Sequence, residues 1–323
     1  EQQHVGHQQA THAGPTQQPM QQAWHRQRQH GGPQQRPIGV IVGAASQIGR
    51  ALLPCLESAA IEAVLIGRRA VPEAPMPVHV FDDAHRTFEP SLSKVDAVIS
   101  LAPLPVIGRV LDMAEALGAR RVIAFGSTGR FSKVDSSSEI ERDFVAQQTQ
   151  AEHLFATRSE RAGIAWTLFR PTMIYGADLD LNVAFIRAVV RQVGFFPLLR
   201  GARGLRQPVH IGDLANACVA ALASERSLNR AYDLGGGEVL AFPELVRRIF
   251  ESERKRPVLV PVPRFAYSVI VALASRLPRY RFIRPQMVDR MCDDLIADNA
   301  DAARDFGYRP RRFEPGAAVG KER

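Results

Sequence analysis

The sequence predicts an α/β fold, a doubly wound parallel sheet with a smaller, interwoven, helix-rich C-terminal lobe. Between residues 37 and 174, short apolar runs alternate with helical stretches. The runs are continuously apolar, as expected of parallel strands that helices cover on both faces. After residue 175 the pattern becomes irregular and prolines become frequent. This change indicates a second lobe.

The apolar runs of the first part predict six strands. In chain order they are Ile38–Val42, Ala63–Ile66, Val78–Phe81, Ala97–Leu101, Val122–Phe125 and Ala165–Phe169. Helical patterns lie between several of them, notably Val106–Leu117 and Ser138–Ala162. We therefore expect a first domain over 37–175 and a second lobe over 176–315, with the segment near 206–235 returning to the first domain and 316–323 as a tail.

The N-terminal segment has a different composition. Residues 1–36 are rich in Gln, His, Pro and Gly and almost free of aliphatic side chains. Such a segment cannot bury enough apolar surface to offset its ordering entropy, so we expect a disordered tail. It lacks the apolar core of a signal peptide. Its histidines are irregularly spaced, and we expect no metal site.

Composition excludes several classes of function. The net charge is +8, but the basic residues are scattered among acidic ones. We therefore expect no nucleic-acid binding, while anionic small molecules stay compatible. Cys55, Cys218 and Cys292 lie far apart, which predicts reduced thiols in a cytoplasm, and the arginine-rich composition is consistent with a bacterial one.

No stretch is apolar for long enough to span a bilayer. The best candidate, residues 265–277, follows Arg264 and is interrupted by Arg276. A helix lying on a membrane surface is conceivable there. A helix packed on the second lobe is the preferred interpretation.

A glycine-bracketed turn follows the first strand and opens the next helical pattern. Strand, turn and helix N-terminus together form a cradle for the pyrophosphate of a dinucleotide. The residues expected to contact it are Gly43, Ala45, Ser46, Gln47, Ile48 and Gly49. The usual middle glycine is missing, and Ser46 or Gln47 occupies its place, depending on the register. A side chain there crowds the pyrophosphate, although the hydroxyl of Ser46 can donate to it.

The second strand ends in Arg68 and Arg69 rather than in the acidic residue that an NAD-selective site uses for the ribose hydroxyls. Two arginines suit a 2′-phosphate, so NADP(H) is expected in preference to NAD(H). The alternative is that both arginines are solvated loop residues. Asp82, just after the third strand, can accept from the adenine amine or serve as a turn residue.

Several motifs follow one another in a specific order. After Gly43 to Gly49 come residues 96–102, 121–128, 151–152, 168–176 and 206–215, and then Arg290 to Pro310. In this order the chain resembles the extended short-chain dehydrogenase/reductase superfamily, and within it the NAD-dependent epimerase/dehydratase family that acts on nucleotide sugars. The resemblance covers about residues 37–315. It implies a Rossmann-type fold, a nucleotide-sugar-type ligand and a possible homodimer.

The resemblance also implies roles for individual residues. Ser127 matches the catalytic Ser/Thr, Leu101, Ala102 and Pro171 would line the cofactor pocket, Thr128 and Tyr175 would face the substrate, and Arg206 and Arg290 match arginines that clamp a diphosphate. A planar guanidinium suits phosphate oxygens. A surface ion pair is the alternative for each arginine, and packing is the alternative for Tyr175. His210 and Asp213 are expected to organise a loop, with Asp213 capping the following helix.

The chain departs from the family at the pair of residues that exchanges the proton, here called the working pair. In the family it is a Tyr-x-x-x-Lys motif on the long helix. The lysine and the oxidised cofactor lower the pKa of that tyrosine so that it can exchange a proton. Phe144 and Gln148 stand at the two positions. A phenyl ring has no proton to give, and an amide has no charge.

Two classes of function stay open. In the first, an oxidoreductase or epimerase has moved its acid/base chemistry to Lys133 or Ser127, with Glu141 and Tyr175 as further candidates. A lysine beside a positively charged nicotinamide releases its proton more readily, although Lys133 can also be a plain loop residue. In the second, the chain binds a nucleotide as a sensor, scaffold or assembly factor and does no redox chemistry.

Overall fold

The computed structural model describes residues 37–67, 78–80, 95–176, 180, 182–274, 276 and 291–316. Its strands are β1 (Ile38–Val42), β2 (Glu62–Gly67), β3 (Val78–Val80), β4 (Ala97–Ser100), β5 (Arg121–Phe125), β6 (Ala165–Pro171), β7 (Ile174–Tyr175), β8 (Phe196–Leu199), β9 (Leu205–Arg206), β10 (Val209–His210), β11 (Arg230–Leu234), β12 (Leu240–Ala241) and β13 (Leu259–Val262). Its helices are α1 (Gln47–Ser58), α2 (Ile107–Ala116), α3 (Gly129–Ser132), α4 (Glu139–Arg161), α5 (Val183–Val193), α6 (Ile211–Leu222), α7 (Phe242–Ser252), α8 (Arg264–Ala274) and α9 (Ala300–Phe306).

Seven parallel strands form the central sheet in the order β11-β6-β5-β4-β1-β2-β3. The predicted doubly wound parallel sheet is confirmed, and each of the six predicted strands is present with bounds that differ by a few residues. The seventh strand, β11, comes from beyond residue 175 and pairs with β6, from Arg230 opposite Thr167 to Leu234 opposite Pro171. Residue 81, the predicted end of the third strand, lies outside the described residues.

Helices cover both faces of the sheet, which explains why its strands are continuously apolar. In β1 the neighbouring side chains Val40 and Ile41 are both fully buried and belong to opposite cores. Ile41 packs with α1 and α6 on one face, whereas Val40 packs with α2 and α4 on the other. A polar side chain at either position would therefore enter a core.

The C-terminal lobe has its own core beside the sheet. Helices α5 and α7 pack around Phe250 and other buried apolar side chains. The strands β8 and β13 pair in parallel, and Tyr267 and Val271 of α8 are buried against them.

The chain order of the strands reverses between β1 and β4. These two strands lie next to each other, with β2 and β3 following on the side of β1 and with β5 and β6 following on the side of β4. In open parallel sheets the crevice at such a switch point, outside the carboxyl ends of the strands, is where ligands bind. The glycine-bracketed turn leaves β1 at this point.

Candidate functional site

The turn after β1 makes close backbone contacts that require its glycines. Gly43 has φ +82° and its N–H donates to the carbonyl of Ile66 at 2.9 Å. A Cβ on Gly43 would lie 3.2 Å from the carbonyl carbon of Leu101, at the end of β4. A Cβ on Gly49 would lie 2.7 Å from the carbonyl carbon of Ala44. The two glycines therefore allow the turn to fold tightly against β4 and against itself.

Ser46 is the N-cap of α1. Its Oγ accepts a hydrogen bond from the N–H of Gly49 at 3.1 Å, which satisfies one of the amides that a helix leaves unpaired at its first turn. The hydroxyl hydrogen of Ser46 is still able to donate. The amides of Gln47 and Ile48 belong to the same first turn, so a phosphate at this helix end would meet amides and a hydroxyl together.

Two buried amide oxygens fit a bound dinucleotide. In the described part of the chain, Oε1 of Gln47 and Oε1 of Gln148 are buried and have no hydrogen-bond partner. Buried polar atoms are normally paired, so each is expected to meet a donor that the described residues do not supply. Ribose hydroxyls are donors of that kind. Gln148 is the residue that the resemblance predicts at the lysine position of the working pair.

The residues expected to select the cofactor, Arg68, Arg69 and Asp82, lie outside the described residues, as does Arg290. The preference for NADP(H) over NAD(H) therefore stays a prediction. Leu101 lies beside the turn, and its N–H donates to the carbonyl of Val42 at 2.8 Å.

The loop after β5 gathers the candidates for proton transfer. Oγ of Ser127 accepts from the N–H of Gly129 at 3.1 Å, and Nζ of Lys133 lies 4.3 Å from the centre of the Phe144 ring. A Cβ built on Gly129 would lie within 3.5 Å of the side chains of Ser127, Lys133 and Phe144 alike. The structure thus brings Ser127, Lys133 and Phe144 around one glycine.

Thr128 and Pro171 join this loop to β6. The N–H and Oγ1 of Thr128 both donate to the carbonyl of Pro171, at 3.3 and 3.2 Å. These bonds hold the ends of β5 and β6 together, where the reacting end of a cofactor is expected.

Two further candidates for proton transfer are placed elsewhere. Glu141 is buried, and its Oε2 accepts from Oγ of Ser136 at 2.7 Å. Tyr175 is buried against His210 and Phe313, and burial raises the pKa of its hydroxyl to about 12. A phenol with such a pKa cannot exchange protons efficiently near neutrality. Tyr175 is also not among the side chains that line the cavity described below.

The buried carboxylate of Glu152 joins α4 to β6 and to α3. Glu152, one turn beyond Gln148 on α4, accepts a bidentate pair from Arg170, with Nε to Oε1 at 3.0 Å and Nη2 to Oε2 at 2.7 Å, and it also pairs with Arg130. Nη1 of Arg170 reaches Asp233 of β11 at 3.2 Å. The sequence shows Glu152 only as part of a motif, because its partners are 18 and 22 residues away along the chain.

A cavity of about 630 Å³ opens between this loop and the C-terminal lobe. Its polar lining side chains are Ser127, Thr128, Ser132, Lys133, Thr172, Asn182 and Arg206. Most of the remaining wall is apolar, and its members come from α5, α7, α8 and the segment 195–197, including Phe185, Val189, Phe195, Phe242, Ile270 and Val271. Sequence reasoning missed this wall, because its side chains are distant in the chain.

Arg206 is buried and lines the cavity beside Phe242. Its Nη1 donates to the carbonyls of Leu205 and Asp293, at 2.7 and 2.6 Å, and its guanidinium lies 5.3 Å from the Phe242 ring. These contacts fix the position of the guanidinium and use part of its donor capacity.

The prediction that Asp213 caps α6 is wrong. His210, not Asp213, caps this helix, and its Nδ1 accepts from the N–H of Gly212 at 3.0 Å. Asp213 lies in the first turn and binds Arg311 through both the side-chain Nε and the backbone N–H, at 2.9 and 3.0 Å. Burial, reinforced by the charge of Arg311, lowers the pKa of His210 to about 4. A neutral imidazole is needed for its Nδ1 to accept.

Within the described ranges, no cluster of His, Cys, Asp and Glu could hold a metal ion. No helix in those ranges is long and apolar enough to cross a membrane.

Comparison with known proteins agrees with the geometry. Residues 105–235 match the model of the NAD dependent epimerase/dehydratase family. Over 162 residues the chain is 30% identical to the mitochondrial NADH dehydrogenase [ubiquinone] 1 alpha subcomplex subunit 9 of Arabidopsis thaliana, which covers 46% of this chain and 39% of the relative. Over 178 residues it is 21% identical to UDP-glucose 4-epimerase of Vibrio cholerae, covering 55% of this chain and 52% of the relative. The chain thus spans about half or less of these curated relatives.

The NAD complex of UDP-glucose 4-epimerase from Thermus thermophilus has a similar structure, with a TM-score of 0.60 and 20% identity over 86% of this chain and 96% of that one. At that identity the likeness shows the fold. The resemblance to the NAD-dependent epimerase/dehydratase family is confirmed over the matched residues.

Proposed function

We propose that this chain binds a pyridine dinucleotide, with NADP(H) preferred, and acts as an oxidoreductase of the epimerase/dehydratase kind whose proton transfer has moved to Lys133. The observation that carries the proposal is the tight turn at the switch point, built by Gly43, Ser46 and Gly49, which a Cβ on Gly49 would disrupt and whose helix N-terminus suits a phosphate. The unpartnered amide oxygens of Gln47 and Gln148 support it. When bound, the nicotinamide supplies hydride transfer.

Lys133 is the proton carrier in this proposal because of where it lies. It lines the cavity next to Ser127 and stands over the ring of Phe144, the residue that replaces the family's tyrosine. An ammonium can donate a proton to a substrate oxygen and take it back, and Ser127 can orient the same oxygen by a hydrogen bond.

The mostly apolar lining of the cavity wall decides which class of substrate the cavity favours. A nucleotide sugar would bring its diphosphate to Arg206 and Lys133, the described cations that line the cavity. The larger part of the wall, however, is apolar and gives the sugar hydroxyls few partners. Nucleotide sugars therefore enter the experiment as one class of substrate to be tested, beside carbonyl compounds with an apolar body.

A second candidate function is a dinucleotide-bound structural or sensing component without turnover. Phe144 and Gln148, the residues predicted at the two positions of the working pair, cannot exchange the proton, and this supports the second candidate. A relative that matches part of this chain is named as a subunit of NADH dehydrogenase, which is compatible with that role.

Cofactor binding is tested first, by thermal shift with NADPH, NADP⁺, NADH and NAD⁺. A ligand that binds the folded state raises the midpoint by mass action. The proposal requires a larger shift with the 2′-phosphorylated forms, and it requires Arg68→Ala to reduce that difference. If none of the four dinucleotides shifts the midpoint, the proposal is wrong.

Proton transfer is tested by turnover in wild type, Lys133→Met and Lys133→Arg. Arginine keeps the charge but cannot release a proton. Loss of turnover in both variants, with dinucleotide binding retained, supports Lys133 as the proton carrier. Turnover that survives in Lys133→Arg assigns it a purely electrostatic role. No turnover by wild type on either substrate class, with cofactor binding intact, favours the second candidate.

A further inference from the structure

Helix α8 presents apolar side chains on two faces. Tyr267 and Val271 face inward and are buried. Phe265, Val269 and Leu273, spaced by four residues, form an outer stripe and are 76%, 56% and 56% exposed. A helix on the surface of a water-soluble domain needs only one apolar face. The outer stripe therefore indicates a second apolar environment.

This stripe is continuous with the cavity. Ile270, next to Val269 on α8, lines the cavity and is also 40% exposed. Val193 and Phe195, at the end of α5 and just beyond it, line the cavity and are likewise exposed. Exposed apolar side chains of the cavity lining thus adjoin the stripe, whereas Ser127 and Lys133, which lie together around Gly129, supply polar lining.

A cavity polarised in this way suits one class of ligand, an amphiphile with a long apolar chain and an anionic head. The chain would lie along the wall formed by α5 and α8, and the head would meet Lys133. A cavity of about 630 Å³ falls in the usual range for small-molecule sites.

The charge around the stripe is complementary to an anionic surface. Arg264 at the start of α8 and Arg276 after its end are both exposed basic residues. Helices with apolar side chains on one face and basic residues beside it lie in the interface of anionic membranes.

We propose that the cavity binds the apolar chain of an anionic amphiphile, which enters it from an anionic bilayer on which the outer stripe of α8 lies. The inference goes beyond the proposed function, because amphiphile binding requires no bound dinucleotide. Dinucleotide thermal shifts, measured on the same preparations, separate a failure of this inference from a failure of the proposed function.

The cavity is tested by displacement of a fluorescent fatty acid with laurate, myristate and palmitate. Burial of each methylene strengthens binding about fourfold, so each two-carbon step is expected to tighten it about fifteenfold. Ile270→Glu places a charge at the cavity mouth and should abolish binding. Val239→Glu is the matched control, because Val239 is 45% exposed and does not line the cavity. Binding without chain-length dependence, or equal losses in both variants, would overturn the cavity assignment.

The bilayer is tested by sedimentation with vesicles of phosphatidylcholine alone and of phosphatidylcholine mixed with phosphatidylglycerol. Wild type should sediment with the mixed vesicles only, and less so at high salt. Leu273→Asp should reduce this association about tenfold, and Val239→Asp should leave it unchanged. If wild type ignores the mixed vesicles, or if Leu273→Asp sediments as wild type does, the membrane source is wrong.

Discussion

Replacing Glu152 by glutamine tests how the site is held together. Glu152 is 6% exposed and neutralises Arg170 and Arg130, which are 16% and 24% exposed. Removing one partner of a buried ion pair costs about 3–5 kcal/mol, because the other charge is left buried and unpaired. Arg170 keeps Asp233 at 3.2 Å, and both arginines retain some contact with water. We therefore expect Glu152→Gln to lower the free energy of unfolding by about 2–3 kcal/mol.

The matched control is Glu115→Gln. Glu115 pairs with Arg158 at 2.9 Å, but their side chains are 38% and 31% exposed, and Arg158 also has Asp112 at 2.7 Å. Exposed pairs contribute about 0–1 kcal/mol, so this variant should unfold almost as wild type does. Urea denaturation followed by circular dichroism measures both. Equal losses of stability in the two variants, or a loss below about 1 kcal/mol in Glu152→Gln, would refute the reasoning.

Three more predictions concern the turn and the helix caps. Gly49→Ala forces a methyl group against the backbone of Ala44, so we expect a loss of about 2 kcal/mol or more and no cofactor-dependent thermal shift. Ser46→Ala removes a cap and a phosphate donor and should cost about 1 kcal/mol in stability, whereas Ser46→Gly should cost only a few tenths of a kcal/mol. Both variants should bind dinucleotide about tenfold more weakly. Tighter binding by Ser46→Gly would instead show that the serine side chain crowds the phosphate. The pKa of His210 falls from its ordinary value of 6.5 to about 4 on folding. Its contribution to stability is therefore complete above pH 6.5 and is lost as the pH falls toward 4, so the free energy of unfolding should drop by about 2 kcal/mol between pH 7 and pH 5. His210→Asn, which keeps a capping side chain, should remove that drop in urea titrations at the two pH values.

The sheet and the turn could be predicted because their signals are local. A strand covered on both faces is apolar along most of its length. β1 shows this over five consecutive residues, β5 over the four after Arg121, and β4 over the three before Ser100. Gly43 and Gly49 are likewise required by contacts within a few residues or with the neighbouring strand. These features need little knowledge of the tertiary structure.

The cap of α6 and the cavity wall could not be predicted, because both depend on distant partners. Asp213 has the residue type of a cap, but Arg311, 98 residues away, binds its carboxylate. His210 then supplies the acceptor for the amide of Gly212. In the same way, Phe185, Phe242 and Ile270 appear in the sequence as ordinary core positions of separate helices. Only their packing places them on one cavity wall.

The replacement at position 144 and the apolar cavity are physically related. A tyrosine hydroxyl at this place would need a hydrogen-bond partner, whereas the ring of Phe144 needs none and presents its face to the ammonium of Lys133 at 4.3 Å. Phe144 does not itself line the cavity, but Lys133, which stands over its ring, does. The surroundings of this cation therefore lack the hydroxyl that a tyrosine would supply. A ligand with many hydroxyls gains little from such a lining, because each group without a partner loses its hydration. A ligand with an apolar body and a single anionic or carbonyl group leaves no polar group without a partner. The missing tyrosine and the apolar wall therefore favour the same class of ligand.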